Sequence, residues 1–106
     1  MPKYLFTAKY TQHGVEGLVT KGAASRVDAV RSMTESGGGT LESLHFAFGG
    51  TDLYAIADMP DDEAAAAVSL TVAAAGGASP EVVKLLTPEQ LDAAIGRTIA
   101  YRPPGS

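Results

Sequence analysis

An α+β domain is the fold class that three features of the sequence predict. In residues 3–11 the side chains alternate with the two-residue period of a strand, and one of the two faces is strongly apolar. In residues 15–36 apolar side chains recur at helical spacing, and glycine or proline separates the predicted segments. The chain has 106 residues, of which 45% are hydrophobic and 19% are charged. Because this length and composition are typical of one globular domain, we treat residues 1–106 as a single domain.

The first strand is predicted over residues 3–11 and the first helix over residues 15–36. One face of the strand consists of Tyr4, Phe6, Ala8 and Tyr10. The apolar side of the helix consists of Val15, Leu18, Val19, Ala23, Val27 and Val30. Its polar residues, among them Arg26, Asp28, Arg31 and Glu35, are interpreted as a solvated face. Gly22 interrupts the helix at a cost of about 1 kcal/mol relative to alanine, so we expect a kink or a close contact there.

A hairpin is predicted over residues 40–59. Its first strand, residues 40–48, has Leu44, Phe46 and Phe48 on one face and Leu41, Ser43, His45 and Ala47 on the other. Gly49-Gly50-Thr51 form the turn, because glycine reaches the positive φ angles of tight hairpins. The second strand covers residues 52–59 and ends before Pro60.

Two helices and one strand complete the predicted order of elements. Asp61 is placed to cap an alanine-rich helix that ends near Ala75. This helix has almost no polar face, so we expect protein to cover more than one of its sides. Residues 80–86 form a strand, and Thr87-Pro88-Glu89-Gln90 begin a last helix. We expect this helix to carry Leu91, Ala94 and Ile95 inward, before an extended tail over residues 101–106.

The resulting order, β-α-β-β-α-β with a C-terminal helix, predicts a ferredoxin-like sandwich. Two right-handed crossovers interleaved around one hairpin give a four-stranded antiparallel sheet with its main helices on one face. The face without helices is expected to include Leu5, Leu41 and Ala47, which together are too apolar to stay in water. The same face of a second copy is the simplest cover. The sequence therefore predicts a homodimer or a larger homo-oligomer.

Composition and missing motifs exclude several functional classes. A net charge of −4 without a basic cluster argues against binding to nucleic acid. The absence of cysteine excludes disulfides, thiolate metal sites and thiol nucleophiles. The N-terminus lacks the pattern of a secretion signal, and no stretch has the roughly 20 apolar residues of a membrane span, so we expect a cytoplasmic protein. No dinucleotide, Walker, nucleophile-elbow or paired-histidine zinc motif occurs, and we expect no cofactor and no metal.

Several segments resemble the GYD family of small bacterial proteins, and the likeness extends along almost the whole chain. They are the opening strand from Pro2 to Phe6, the hairpin from Phe46 to Asp52, the helix after Met59-Pro60-Asp61, the cap from Leu86 to Glu89, and the ending from Tyr101 to Gly105. The family's hairpin reads Gly, any residue, Tyr, Asp; here Gly49 and Asp52 match, and Thr51 stands in place of the tyrosine. The resemblance implies a dimeric α+β barrel, a group that includes cofactor-free monooxygenases, haem-degrading enzymes and small-ligand binders. It implies no particular chemistry.

Four residues are candidates for binding a ligand: His45, Asp52, Tyr54 and Lys9. His45, in mid-strand, has an imidazole that is suited to act as a general base or to bind a metal or haem iron, or else is a partly buried side chain with a structural role. Asp52 either orients a ligand together with His45 or Lys9, or accepts backbone hydrogen bonds at the turn. Tyr54 offers a phenol and Lys9 a cation, although both are also common surface residues of a sheet.

Two functional hypotheses follow. In the first, the domain binds a small organic molecule in an apolar cavity between sheet and helices, with or without slow cofactor-independent conversion, and the four candidate residues line that cavity. In the second, the domain is a non-catalytic assembly module whose alanine-rich helix and tail bind other subunits. A cavity on which His45 and Tyr54 converge would favour the first hypothesis.

Overall fold

The computed structural model describes residues 1–105. In chain order its elements are β1 (Lys3–Tyr10), α1 (Gln12–Lys21), α2 (Ala23–Ser36), β2 (Thr40–Phe46), β3 (Leu53–Asp58), α3 (Asp62–Ala75), β4 (Ala78–Leu85) and α4 (Pro88–Ile95).

The strands form one four-stranded antiparallel sheet in the order β2-β3-β1-β4. The two central strands are β1, the first strand of the chain, and β3, the second strand of the hairpin, as in interleaved β-α-β crossovers. The core joins the sheet to α3, where Tyr4, Ala57, Met59 and Ala65 are buried together. The predicted α+β, ferredoxin-like fold is confirmed.

Gly22 divides the predicted first helix into α1 and α2. Its φ angle of +87° lies in the region that favours glycine, and its N–H donates to the carbonyl of Leu18 at 2.8 Å. The first of the two helices starts at Gln12, because the Thr11 hydroxyl caps it by accepting a hydrogen bond from the Gly14 N–H. The kink expected at Gly22 is confirmed, whereas one continuous helix over residues 15–36 is wrong.

A β-bulge changes the face on which Leu41 lies. The register of β2 on β3 shifts between Leu41 and Ser43, which leaves Glu42 as the extra residue. Leu41 pairs with Ala57, a residue buried beneath the helices, and Leu41 therefore lies on the helix-covered face. Its predicted place on the helix-free face is wrong, because a one-residue shift moves a side chain to the opposite side of the sheet.

Helix α3 begins and ends where the sequence predicts. The Asp61 carboxylate accepts from the Ala64 N–H at 2.8 Å, and Gly76 ends the helix with a φ angle of +81°. Ala65 is its one buried residue among those described, and Leu70 on the outer side is 70% exposed. Within a single chain, this apolar helix is therefore covered on one side only.

The last helix leaves the body of the domain. Thr87 and Gln90 form the predicted capping box, but Leu91 and Ile95 are 53% and 73% exposed, so their predicted inward placement is wrong for a single chain. All residues from 86 to 105 are exposed, and we call this segment the C-terminal arm. The arm accounts for a radius of gyration of 16.9 Å, compared with about 13 Å for a compact domain of this length.

Candidate functional site

The four candidate residues lie together at one end of the sheet, on the face that no helix covers, which we call the open face. His45 and Tyr54 are direct partners across β2 and β3, and Tyr54 is 44% exposed. Lys9 Nζ lies 3.2 Å from Asp52 Oδ1 and 3.3 Å from the Gly49 carbonyl oxygen, to which it donates. The structure thus forms two pairs, His45 with Tyr54 and Lys9 with Asp52.

Asp52 has a clear structural role. Its Oδ2 accepts a hydrogen bond from the Tyr10 N–H at 2.9 Å, which ties the end of the hairpin to β1. This hydrogen bond, with the Lys9 ammonium beside it, lowers the pKa of the Asp52 carboxyl from its usual range. Both expected partners, a backbone N–H and Lys9, are therefore present, although the N–H belongs to β1 and not to the turn.

An apolar strip crosses the centre of the open face. Leu5 pairs with Ile56 on one side and with Val83 on the other, so these residues form a row over three strands. Charged side chains border the row at Lys3, whose ammonium bonds Glu42 at 2.6 Å and Asp58 at 3.0 Å. An apolar centre with a charged border is typical of a surface that associates with other protein.

On the opposite side of the sheet, a cavity of about 50 Å³ lies beneath α2 and α3. We call it the inner cavity. Its walls are almost entirely apolar and include Phe6, Val30, Met33, Leu53, Val68 and Val72. Its volume is several times the roughly 10–15 Å³ that one water molecule needs. The inner cavity is lined by none of His45, Asp52, Tyr54 and Lys9, because these residues lie on the open face, on the other side of the sheet.

A wider cleft of about 430 Å³ adjoins the inner cavity between α1, α2 and α3. We call it the outer cleft. The two spaces share Tyr10, Arg26, Met33, Val72 and Ala78 as lining residues. The outer cleft adds His13, Lys21, Ser25 and Thr71. Among the residues that the structure describes, no aspartate or glutamate lines either space.

Tyr10 and Arg26 are the notable polar groups where the two spaces meet. The Tyr10 Oη and Arg26 Nε atoms are buried, and within residues 1–105 neither has a hydrogen-bond partner. Burial raises the pKa of the Tyr10 phenol. The Arg26 guanidinium approaches the phenol closely enough to oppose that rise in part, by its charge and by a weak polar contact, but it does not reach hydrogen-bond geometry. Buried polar atoms without partners are rare in folded proteins, so this pair requires an explanation.

Close backbone contact sets the position of Tyr10. The Thr11 N–H donates to the Gly77 carbonyl at 3.0 Å, and the Thr11 hydroxyl donates to the Gly76 carbonyl at 3.0 Å. A side chain at Gly14 would place its Cβ 1.9 Å from the Gly77 oxygen, so only glycine permits this approach. The start of α1 is thereby tied to the turn before β4, and Tyr10 lies between them.

Neither Tyr10 nor Arg26 is among the site residues that the sequence predicts. The predicted place of Tyr10 on an apolar strand face is correct, whereas the predicted place of Arg26 on a solvated helix face is wrong. A signal was available for Arg26: it precedes Val30 by four residues and Met33 by seven, the spacing of one helix face. All three residues line the inner cavity.

Two further properties bear on function. Across residues 1–105, no three histidine, aspartate or glutamate side chains are grouped so that they could hold a metal ion. In the same range, no helix has the length and apolar character that crossing a membrane requires.

Comparison with known proteins gives one positive result. The model of the GYD domain family matches residues 4–95 of the 106-residue chain. The match includes all eight helices and strands apart from Lys3 at the start of β1, and it leaves out the end of the C-terminal arm. No curated protein and no solved structure gives a significant match.

Proposed function

The chain belongs to the GYD domain family, and we propose that it binds a small, mainly apolar organic molecule in the inner cavity. The observation that carries this proposal is an apolar cavity with two buried polar atoms, Tyr10 Oη and Arg26 Nε, that have no partner among the described residues. Ligand sites commonly combine apolar walls with a few polar groups that fix the orientation of the ligand. The outer cleft would be the route of entry.

Binding can be tested with two six-carbon probes, hexanoate and 1-hexanol, and one blocking variant. Ser69 lines the inner cavity from α3, so Ser69→Leu should fill it. We expect NMR titration of the parent protein to shift the resonances of Val30 and Val72 with at least one probe, and Ser69→Leu to weaken that binding at least tenfold. Ala66→Leu, which adds the same side chain at an exposed position of α3, is the control and should bind as the parent does. Binding of neither probe by the parent would contradict the proposal.

We also propose that a second copy covers the open face and forms a dimeric α+β barrel. The apolar row of half-buried Leu5 and Ile56 and exposed Val83 supports this arrangement, because a partner's identical row would bury it. In such a dimer, His45, Asp52, Tyr54 and Lys9 would lie near the border of the interface. There they remain candidates for contacting a ligand held between the two sheets.

The second candidate function is assembly, and the C-terminal arm favours it. The arm has a concentration of apolar side chains that the described chain leaves exposed: Leu86, Leu91, Ile95, Ile99 and Tyr101. The outer side of α3 is similarly exposed at Leu70. We propose that the arm of one copy packs on α3 of another, because the small alanine side chains of α3 permit close approach.

Light scattering on the variant Ile95→Lys tests the assembly function. We expect a lower mass than that of the parent, because an interface cannot bury the introduced ammonium without an opposite charge to pair with it. Arg97→Lys, which keeps the charge in the same arm, is the control and should keep the mass of the parent. An unchanged mass for Ile95→Lys would remove the support for an arm contact.

A further inference from the structure

We infer that the ligand of the inner cavity carries a carboxylate, which Arg26 and the Tyr10 hydroxyl hold where the cavity meets the outer cleft. This inference rests on the proposed function and adds the chemical class of the ligand. It follows from the charge of the lining, from the hydrogen-bonding capacity of the two groups and from the shape of the space.

The lining differs in charge from the rest of the molecule. The chain has 12 acidic and 8 basic residues and a net charge of −4. The two adjoining spaces are lined by Arg26, Lys21 and His13, and by no aspartate or glutamate among residues 1–105. A cleft whose charged lining residues are all basic attracts anions, even in an acidic protein.

The two unpartnered groups call for an acceptor. An arginine side chain has five N–H donors and no acceptor, so the missing partner of Arg26 Nε must accept. The Tyr10 hydroxyl can donate to the same group, and burial keeps it protonated by raising its pKa. A carboxylate has two oxygens that accept from both groups at once, and arginine binds carboxylates in a planar, two-bond geometry.

Asp52 has a carboxylate near Tyr10, but other groups already bind it. Asp52 is near enough for its charge to raise the pKa of Tyr10. Its Oδ2 accepts from the Tyr10 N–H and its Oδ1 pairs with Lys9, on the other side of the backbone from the phenol. Asp52 therefore binds the main chain of Tyr10, and the Tyr10 hydroxyl has no hydrogen-bond partner among residues 1–105.

The shape of the space limits the rest of the ligand. The inner cavity is apolar beyond Arg26, and its volume of about 50 Å³, well below the roughly 150 Å³ of a cavity that holds a benzene ring, suits a short alkyl end and not a ring. The outer cleft is more polar and, at about 430 Å³, could hold further groups. The chemical class is therefore a small organic acid with an apolar end that enters first.

The test compares hexanoate with 1-hexanol, which share a chain length and differ in the head group. We expect NMR titrations to give at least tenfold tighter binding of hexanoate to the parent protein, with a shift of the Arg26 Nε–H resonance. Arg26→Met and Tyr10→Phe should each weaken hexanoate by about tenfold or more and weaken 1-hexanol by much less, because the alcohol oxygen loses only an uncharged hydrogen bond. Arg31→Met is the matched control, because Arg31 is exposed on the same helix and outside both spaces.

The possible outcomes distinguish failure of this inference from failure of the proposed function. Equal affinity for the two probes, with shifts confined to the inner cavity, would overturn the inference and leave the proposed function standing. Hexanoate bound elsewhere, without a shift at Arg26, would also overturn it. Binding of neither probe would overturn the proposed function and this inference together. The comparison of probes on the parent protein needs no variant, so a variant that fails to fold does not weaken the test.

Discussion

The backbone N–H and the side-chain hydroxyl of Tyr10 lie in different environments. Its backbone N–H is fixed by Asp52 and contributes to the fold, whereas its hydroxyl is buried without a partner among the described residues. A buried hydroxyl without a partner reduces stability, because it gives up hydrogen bonds to water and gains none. Ligand sites often retain such groups at a cost to stability.

Tyr10→Phe should therefore stabilise the protein in the absence of added ligand. We expect the free energy of unfolding to rise by up to about 1 kcal/mol, measured by urea denaturation, because the substitution removes the unpaired hydroxyl and keeps the ring. Tyr54→Phe on the open face is the control and should leave stability nearly unchanged. A loss of stability in Tyr10→Phe would mean that the hydroxyl has a partner within the protein.

Asp52 should make stability sensitive to acid. Its pKa in the folded state lies below that of the unfolded chain, so its contribution is present above about pH 4 and is lost as pH falls through the folded-state value. We expect Asp52→Asn to reduce the difference in melting temperature between pH 6 and pH 3. Asp92→Asn, in the exposed arm, should keep the difference of the parent. An undiminished difference in Asp52→Asn would show that other groups control acid sensitivity.

Helix α3 is an apolar helix whose outer side is exposed. Fourteen residues from Asp62 to Ala75 carry acidic side chains only in the first turn, and the outer side of the helix is exposed apolar surface. An isolated surface helix normally has a charged outer face. Its composition is explained if another chain covers it.

Ala66→Glu tests whether α3 is covered. If another copy lies on this helix, we expect a smaller assembly by light scattering, or a loss of about 1–3 kcal/mol in the free energy of unfolding. Ala24→Glu, at an exposed position of α2, is the control. If mass and melting temperature are unchanged in both variants, α3 is solvated and its alanines have no role in assembly.

Local signals explain which elements the sequence predicted well. The Thr87 capping box and the Asp61 cap each depend on residues that are close in sequence, and both are present as predicted. The bulge at Glu42 was missed because it depends on pairing with β3, which no local pattern encodes. The direction of α4 was missed for a related reason: its apolar side chains predict burial, but not which chain provides the cover.

The candidate site shows the same limit. Alternation predicts that Asp52 and Tyr54 share a face of β3 and that Lys9 lies on the less aromatic face of β1, because the period of a strand is fixed. It does not predict which face of the sheet encloses the cavity, and none of the three residues lines the inner cavity. Helical spacing places Arg26 on the same helix face as Val30 and Met33. Its charge, however, predicts a solvated side chain. The cavity itself is lined by residues of six elements and could not be predicted from any one segment.

At the scale of the whole molecule, the open face and the C-terminal arm predict that the chain is not a monomer. Light scattering at micromolar concentration should give at least twice the chain mass of 10.9 kDa. Val83→Lys should lower the mass by placing a charge in the apolar row, and Gln12→Lys, exposed on α1, should not. A mass of one chain for the parent protein would contradict the dimeric barrel.

The position of a bound probe inside the protein shows whether the inner cavity is the binding site. Intermolecular NOEs should connect the terminal methyl group of hexanoate to the methyl groups of Val30 and Val72 in the inner cavity. NOEs only to Leu5 and Ile56 would place the probe on the open face, and the absence of any NOE would mean that hexanoate does not enter. Either result would contradict the claim that the inner cavity is the binding site.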